Sequence, residues 1–335
     1  MDSRRCWRTI CSGKRVTGMV LGKILRKVLR GERYYTVCVR KYGSGNGLFQ
    51  FLPFSERYWY ADPLGFEYNE RLYLFMEIFD RKARKGFIGV SVVEESGVIL
   101  PPEKVIQEEW HLSFPFVFVH QEKIYMLPES SGSGKLWLYR CRNFPYQWEA
   151  VSSVEGRPFQ VDTVLFEYLG KLYALSSDMD SDSAYRTREK VELVSLEGEK
   201  LELSEADMEF DRKREYDYQS RAAGGFYHED GRWKRAVQVS EEGIYGRRVE
   251  IREVQVREGK LEQNPCGLID TEELRDALGN LAFAPEKNRI GIHTYNIVHG
   301  MEIVDLSFWH FSLWELWYRI RDKVDMLLKA RRVRK

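Results

Sequence analysis

Hydrophobic and polar positions alternate along LYLFME (Leu72–Glu77), and similar alternation returns further along the chain between runs of turn-forming residues. A period of two predicts half-buried β-strands. The segment ADPLGFEYNERLYLFME recurs as SFPFVFVHQEKIYMLPE, as VDTVLFEYLGKLYALSS and, more faintly, as RAAGGFYHEDGRWKRAVQ. Aligned without gaps, Asp62, Phe114, Asp162 and Ala222 share one position, and Tyr73, Tyr125, Tyr173 and Trp233 lie eleven residues further on. Between these marks each unit reads as strand, polar turn (YNER, HQEK, YLGK, HEDG) and strand, which is a β-hairpin.

Successive units begin roughly 50 to 60 residues apart, enough for a four-stranded sheet with its loops, which is the size of a propeller blade. A fifth unit is read in NRIGIHTYNIVHGMEIVDLSF, where the first hairpin strand is weakly marked. The expected fold is therefore all-β: a five-bladed β-propeller over residues 34–308. A β-sandwich or two small sheets is the alternative. The ends differ in kind. Leu21, Ile24, Leu25 and Val28 share one helical face, as do Leu313, Trp317, Ile320, Val324 and Leu327, so basic amphipathic helices are expected over 1–33 and 309–335.

At 335 residues, 43% of them hydrophobic, the chain can bury a sizeable core. The net charge of +1 conceals an asymmetry. Residues 1–33 carry ten Lys/Arg against two acids and residues 313–335 eight against three, leaving about −12 for the middle. The basic ends either clasp the propeller or attach it to an anionic membrane surface. The five cysteines form no CxxC pair, which argues against a zinc site and a disulfide scaffold and for a reducing compartment. The apolar stretch around Met19–Leu21 is broken by Gly22 and Lys23, and no run is long enough to span a bilayer. A cytoplasmic protein, peripheral at the inner membrane face if the arms bind lipid, is expected.

In a propeller, equivalent positions of successive units converge on the axis. Asp62 and Asp162 are thereby predicted neighbours, joined by Glu77 and Glu129 from the position four residues past the aromatic mark, where the third unit has Ser177 and the fourth Val237 followed by Gln238. Paired carboxyls in unlike surroundings suit acid/base chemistry on a glycosidic bond. Each also has a plainer reading: Asp62 before Pro63 and Asp162 before Thr163 as turn residues, Glu129 as the start of a Gly/Ser-rich loop, His293 as a structural histidine. That loop, ESSGSGKLW, lacks the ending of a phosphate-binding P-loop. Arg221 and Gln238, if they line the axis, suit polar contacts to a sugar, carboxylate or phosphate. His111, His293 and His299 show no metal-ligand spacing, no cofactor is called for, and no aromatic-interleaved basic patch points to nucleic acid.

YWYADPLGFEYNERLYLFME, LSFPFVFVHQEKIYMLPES with LYRCRNFPYQW, VDTVLFEYLGKLYALSS, SRAAGGFYHEDGRWKRAVQ with YGRRVEI, and GIHTYN together resemble the β-propeller domain of glucosamine inositolphosphorylceramide transferases and its bacterial relatives. That domain is similar in turn to the five-bladed glycoside hydrolases of families 32, 43, 62 and 68. The resemblance implies work on a carbohydrate or glycolipid, in the assembly of a surface polysaccharide. It implies Asp62 as nucleophile or base and Asp162 as a residue tuning the acid. The chain departs from the hydrolases where their general acid stands: the fourth unit offers Arg221, Gln238 and Tyr245 instead, so Glu129 would have to supply the proton. Asp62, Glu129 and Asp162 are the expected catalytic set, with Glu77, Arg221, Gln238, Tyr245 and His293 around the substrate. Non-catalytic glycan binding and plain glycoside hydrolysis are the alternatives.

Overall fold

A computed structural model describes residues 31–45, 47–210, 221–241 and 243–311. Most of each expected terminal helix falls outside these residues, and the described inner ends, Glu32–Arg33 and Trp309–His310, belong to strands. The chain divides into two compact units, one of residues 1–34 with 309–335 and the other Tyr35–Phe308. The second is the propeller.

Five separate sheets follow one another. The first strands along the chain are β1 (Glu32–Lys41) and β2 (Gln50–Phe51). Blade one is β3 (Tyr58–Tyr68), β4 (Arg71–Asp80), β5 (Lys85–Val93) and β6 (Glu103–Ile106); blade two is β7 (Ser113–His120), β8 (Lys123–Glu129), β9 (Lys135–Asn143) and β10 (Gln147–Glu155). Blade three is β11 (Gln160–Tyr168), β12 (Lys171–Asp180), β13 (Ser183–Glu197) and β14 (Lys200–Glu205). Blade four is β15 (Glu209–Phe210), β16 (Arg221–Glu229), β17 (Arg232–Glu241), β18 (Ile244–Arg257) and β19 (Lys260–Ile269), with β15 parallel to β19 at its edge. Blade five combines β20 (Arg289–Gly291), β21 (Tyr295–Val298) and β22 (Met301–His310) with β1 and β2. A strand from the start of the chain therefore completes the last blade.

The inner strands touch in the cyclic order β3, β7, β11, β16, β21 and back to β3, so the ring is closed. In each blade the first hairpin turns through two residues that both have positive φ: Asn69–Glu70, Gln121–Glu122, Leu169–Gly170, Asp230–Gly231 and His299–Gly300. That backbone matches the twist of the strands it joins. Apolar residues fill the gaps between blades. Val37, Leu74, Met76 and Ile303 bind blade five to blade one, and Phe75, Ile88, Leu112, Met126 and Tyr139 bind one to two. Leu64, Phe114, Val164 and Ala222, each from a different inner strand, meet in one buried cluster.

Candidate functional site

The inner strands of blades one to three carry a bulge at one shared place, between Ala61 and Leu64, Ser113 and Phe116, and Val161 and Val164. The residue at its start is left-handed in all three: Asp62 (φ 50), Phe114 (φ 43) and Asp162 (φ 51). A bulge re-aims side chains, and the aligned position read from the sequence is this one. Blade four differs. Its inner strand has two unpaired residues more than the other strand between the pairs Ala222–Val237 and Phe226–Arg235, around Gly224 and Gly225. Counted from the hairpin turns, Gln238 and not Val237 then takes the place of Glu77, with Arg221 paired opposite it.

A cavity of about 390 Å³ opens where these bulges meet, lined among others by Asp62, Glu77, Glu129, Arg221, Tyr245 and His293. Six of the eight sequence-expected residues are therefore on its wall. Asp162 and Gln238 stand behind it. Asp162 is buried and takes both Arg221 Nε and, at 3.0 Å, Arg221 Nη2. Gln238 is buried too, its Nε2 donating to Ser240 Oγ at 3.2 Å. A larger cavity, about 1010 Å³, lies between blades five and one and is lined by charges of both signs such as Arg40, Arg71, Glu94 and Glu95. The convergence of buried acids makes the smaller one the candidate site.

Asp62 is backed by two further groups. His293 Nε2 lies 3.2 Å from Asp62 Oδ1, and His293 Nδ1 lies 2.6 Å from Asp305 Oδ2. Burial pushes the Asp62 carboxyl up to about 7; His293 pulls against that, while Asp305, Asp162 and Glu129 add to it. Burial would also raise Asp305, yet His293 and the backbone N–H groups of His293 and Asp62 hold it below the usual carboxylate range.

The other two acids differ from each other. Glu129 accepts from Ser113 Oγ at 3.0 Å and Ser131 Oγ at 2.8 Å, with Arg221 Nη2 at 3.8 Å. Burial and then Asp162 raise it, opposed by Arg221 and the two hydroxyls. Glu77 is 4% exposed, and among the described residues its Oε1 has no hydrogen-bond partner. His111 Nε2 is 3.3 Å from that atom, but burial lowers the His111 imidazole, whose Nδ1 already accepts the Gly86 N–H. Burial, then the charges of Asp62, Glu129 and Asp305, push Glu77 well above its ordinary value. Its surroundings therefore favour the protonated form of Glu77 more than those of an exposed carboxyl would.

Rings form an arc along the wall. Tyr245 meets His293 edge-on at 5.6 Å, His293 meets Tyr35 at 4.8 Å, Tyr35 meets Trp59 at 5.0 Å, and Trp59 stacks on Phe79 at 4.5 Å. The Arg221 guanidinium lies 5.1 Å over the Tyr245 ring. Among the described residues, Asp62, His293 and Asp305 are the group whose ligand-type atoms lie close enough for one ion. Their atoms also contact one another, at 3.2 Å between Asp62 and His293 and 2.6 Å between His293 and Asp305.

Sequence reasoning missed Asp305, Tyr35, Trp59 and Tyr185, and weighed His111 only as a metal ligand. Asp305 had a signal: it is a lone carboxylate inside the apolar run IVDLSF.

The raised acids set the pH dependence of stability. A group whose folded pKa is raised stabilises fully below its unfolded value, near 4, and that contribution is lost as pH rises through the folded value. Asp62, Glu77 and Glu129 act in this sense; Asp305, held low, acts in the opposite sense and only below pH ~4. The thermal midpoint should therefore fall between pH 5 and 8, by an amount on the order of a few kcal/mol in stability. Calorimetry across that range checks it, and Asp62→Asn should flatten the slope.

A family model described as "Glucosamine inositolphosphorylceramide transferase 1, N-terminal" matches residues 54–264. Glucosamine inositolphosphorylceramide transferase 1 of Arabidopsis thaliana is 37% identical over 119 residues, covering 35% of this chain and 15% of that protein. The protein of the same name from Oryza sativa subsp. indica is 34% identical over 119 residues, covering 35% and 16%. The matched stretch is thus a small part of those relatives. Among solved structures, exo-beta-1,3-galactanase from Phanerochaete chrysosporium superposes with a TM-score of 0.51 at 13% identity, over 69% of this chain and 60% of that one. Beta-1,2-mannobiose phosphorylase from Listeria innocua gives 0.50 at 10% identity, over 81% and 96%. At such identities these likenesses concern the fold alone.

Proposed function

Because this chain belongs to the family of the glucosamine inositolphosphorylceramide transferase 1 N-terminal region, we propose that its central pocket is a carbohydrate-active site, making or breaking a glycosidic bond in a surface polysaccharide or glycolipid. One observation carries the reading: Asp62, backed by His293, shares a pocket with Glu77, a carboxyl that burial and neighbouring charges push well above its ordinary value. A base and an acid at neutral pH are what glycosyl chemistry needs.

In this mechanism Asp62 acts as nucleophile, or takes the proton of the attacking hydroxyl. Glu77 donates its proton to the leaving oxygen, which moves the donor role from Glu129 to Glu77. Glu129, fixed by Ser113 and Ser131, accepts a sugar hydroxyl. Arg221 keeps its place through Asp162 and offers its remaining N–H groups, and Tyr35, Trp59 and Tyr245 present ring faces to the apolar face of a sugar. Asp162 thus acts through Arg221 and does not itself contact the substrate.

A second reading, glycan binding without turnover, is favoured by the pairing of Asp162 with Arg221, which leaves that acid no free role. A panel of reducing-end-labelled oligosaccharides separates the two. Catalysis predicts a changed product with at least one of them, alone or with a second sugar as acceptor; binding alone predicts retention with no product. Trp59→Ala should weaken retention about tenfold, the loss expected for one stacking ring. Absence of both retention and product across the panel would overturn the carbohydrate reading.

A further inference from the structure

Asp305 belongs to blade five, yet it holds a group in blade one. Its side chain is 0% exposed. Oδ1 accepts the backbone N–H of His293 at 3.0 Å and of Thr294 at 3.1 Å. Oδ2 accepts the backbone N–H of Asp62 at 3.1 Å and lies 2.6 Å from His293 Nδ1 in a close, bent approach. One oxygen thereby holds both the backbone N–H of Asp62 and the imidazole that faces its side chain. Such a network costs a fully buried charge, for which an apolar core offers no reason.

We propose that Asp305 is a positioning residue that turns Asp62 and His293 into one proton-holding unit: Asp305 keeps the Nδ1 proton in place, so that Nε2 is committed to Asp62. This extends the reading of Asp62 as the base of the site. When Asp62 takes a proton, the O–H bond of the attacking hydroxyl breaks, its electron pair goes to the anomeric carbon, and a new O–H forms on Asp62. The bond from that carbon to the leaving oxygen breaks with its pair, and the leaving oxygen takes the proton of Glu77. His293 remains cationic throughout and Asp305 anionic, so their charges cancel beside the reacting atoms and a single charge changes.

The groups facing this unit are Glu77, Glu129 and Asp162 on blades one to three, Arg221 and Tyr245 on blade four, and Tyr35 on β1. They give the test a sign. Asp305 as a bare negative charge raises Asp62, so its removal would lower the Asp62 midpoint. If instead Asp305 keeps His293 cationic, its removal also cancels the stronger lowering by His293, and the midpoint rises.

The test is NMR titration of the full chain labelled with 13C at Asp Cγ and 15N at His, with Asp62 identified by the signal missing from Asp62→Asn. Asp305→Asn should raise the Asp62 midpoint by at least about one pH unit, a tenfold change in proton affinity. His293→Gln should raise it similarly, and the double variant no further, because the two act in series. In the unaltered chain His293 Nδ1 should stay protonated from pH 5 to 8. That measurement decides the matter even if Asp305→Asn fails to fold, which near-ultraviolet circular dichroism would reveal. A lowered midpoint, additive rises, or loss of the Nδ1 proton by pH 8 would overturn the relay. No sugar is involved, so failure here leaves the carbohydrate reading standing, and an inert oligosaccharide panel leaves the relay standing.

Discussion

Asp62→Asn is expected to leave the propeller folded and sugar retained while turnover falls by roughly 10²-fold or more, the usual scale for loss of a positioned base. The choice of asparagine matters. Asp62 is left-handed at φ 50, a conformation that Asn tolerates and Ala resists, so Asn removes the charge without adding strain. Its backbone N–H still reaches Asp305 Oδ2, and the amide oxygen can still face His293 Nε2. Folding is checked by thermal melting, retention by the labelled panel and turnover by product analysis. Unchanged turnover would remove Asp62 from the mechanism.

Arg221→Met is expected to have the largest effect on stability. Arg221 is buried against Asp162, itself 3% exposed, and desolvation of that pair is offset mainly by their mutual contacts. Removing one partner of a buried pair leaves the other charge uncompensated, at a cost of about 3–5 kcal/mol. Arg221→Met with Asp162→Asn should cost less than Arg221→Met alone, since the isolated charge is gone. Denaturant unfolding of both variants reads this directly. Equal losses would show that Arg221 stabilises by packing on Tyr245 and not by its charge.

Much of this site was legible in the chain because hairpins repeat. The aromatic mark and the two-residue turn fix the register of each unit, and register fixes which residue reaches the axis. Asp62, Glu77 and Glu129 came from that argument alone. The rest depended on distance in sequence. Ring closure pairs β1 with β22, strands at opposite ends of the chain that share no repeat. Two glycines in blade four add residues to the bulge, and a gap-free alignment then misplaces Gln238 by one. The ion pair of Asp162 with Arg221 crosses from blade three to four, and Asp305 reaches from blade five to one, so neither partner has a local pattern to announce it.

The most direct measurement is a crystal structure of the Asp62→Asn variant with an oligosaccharide that the panel shows to be retained. The account predicts a sugar ring in the 390 Å³ pocket, its face against Trp59 or Tyr35 and its glycosidic oxygen within hydrogen-bonding distance of Glu77. A sugar ordered instead in the larger cavity beside Arg40, Arg71 and Glu94, with the central pocket empty, would contradict it.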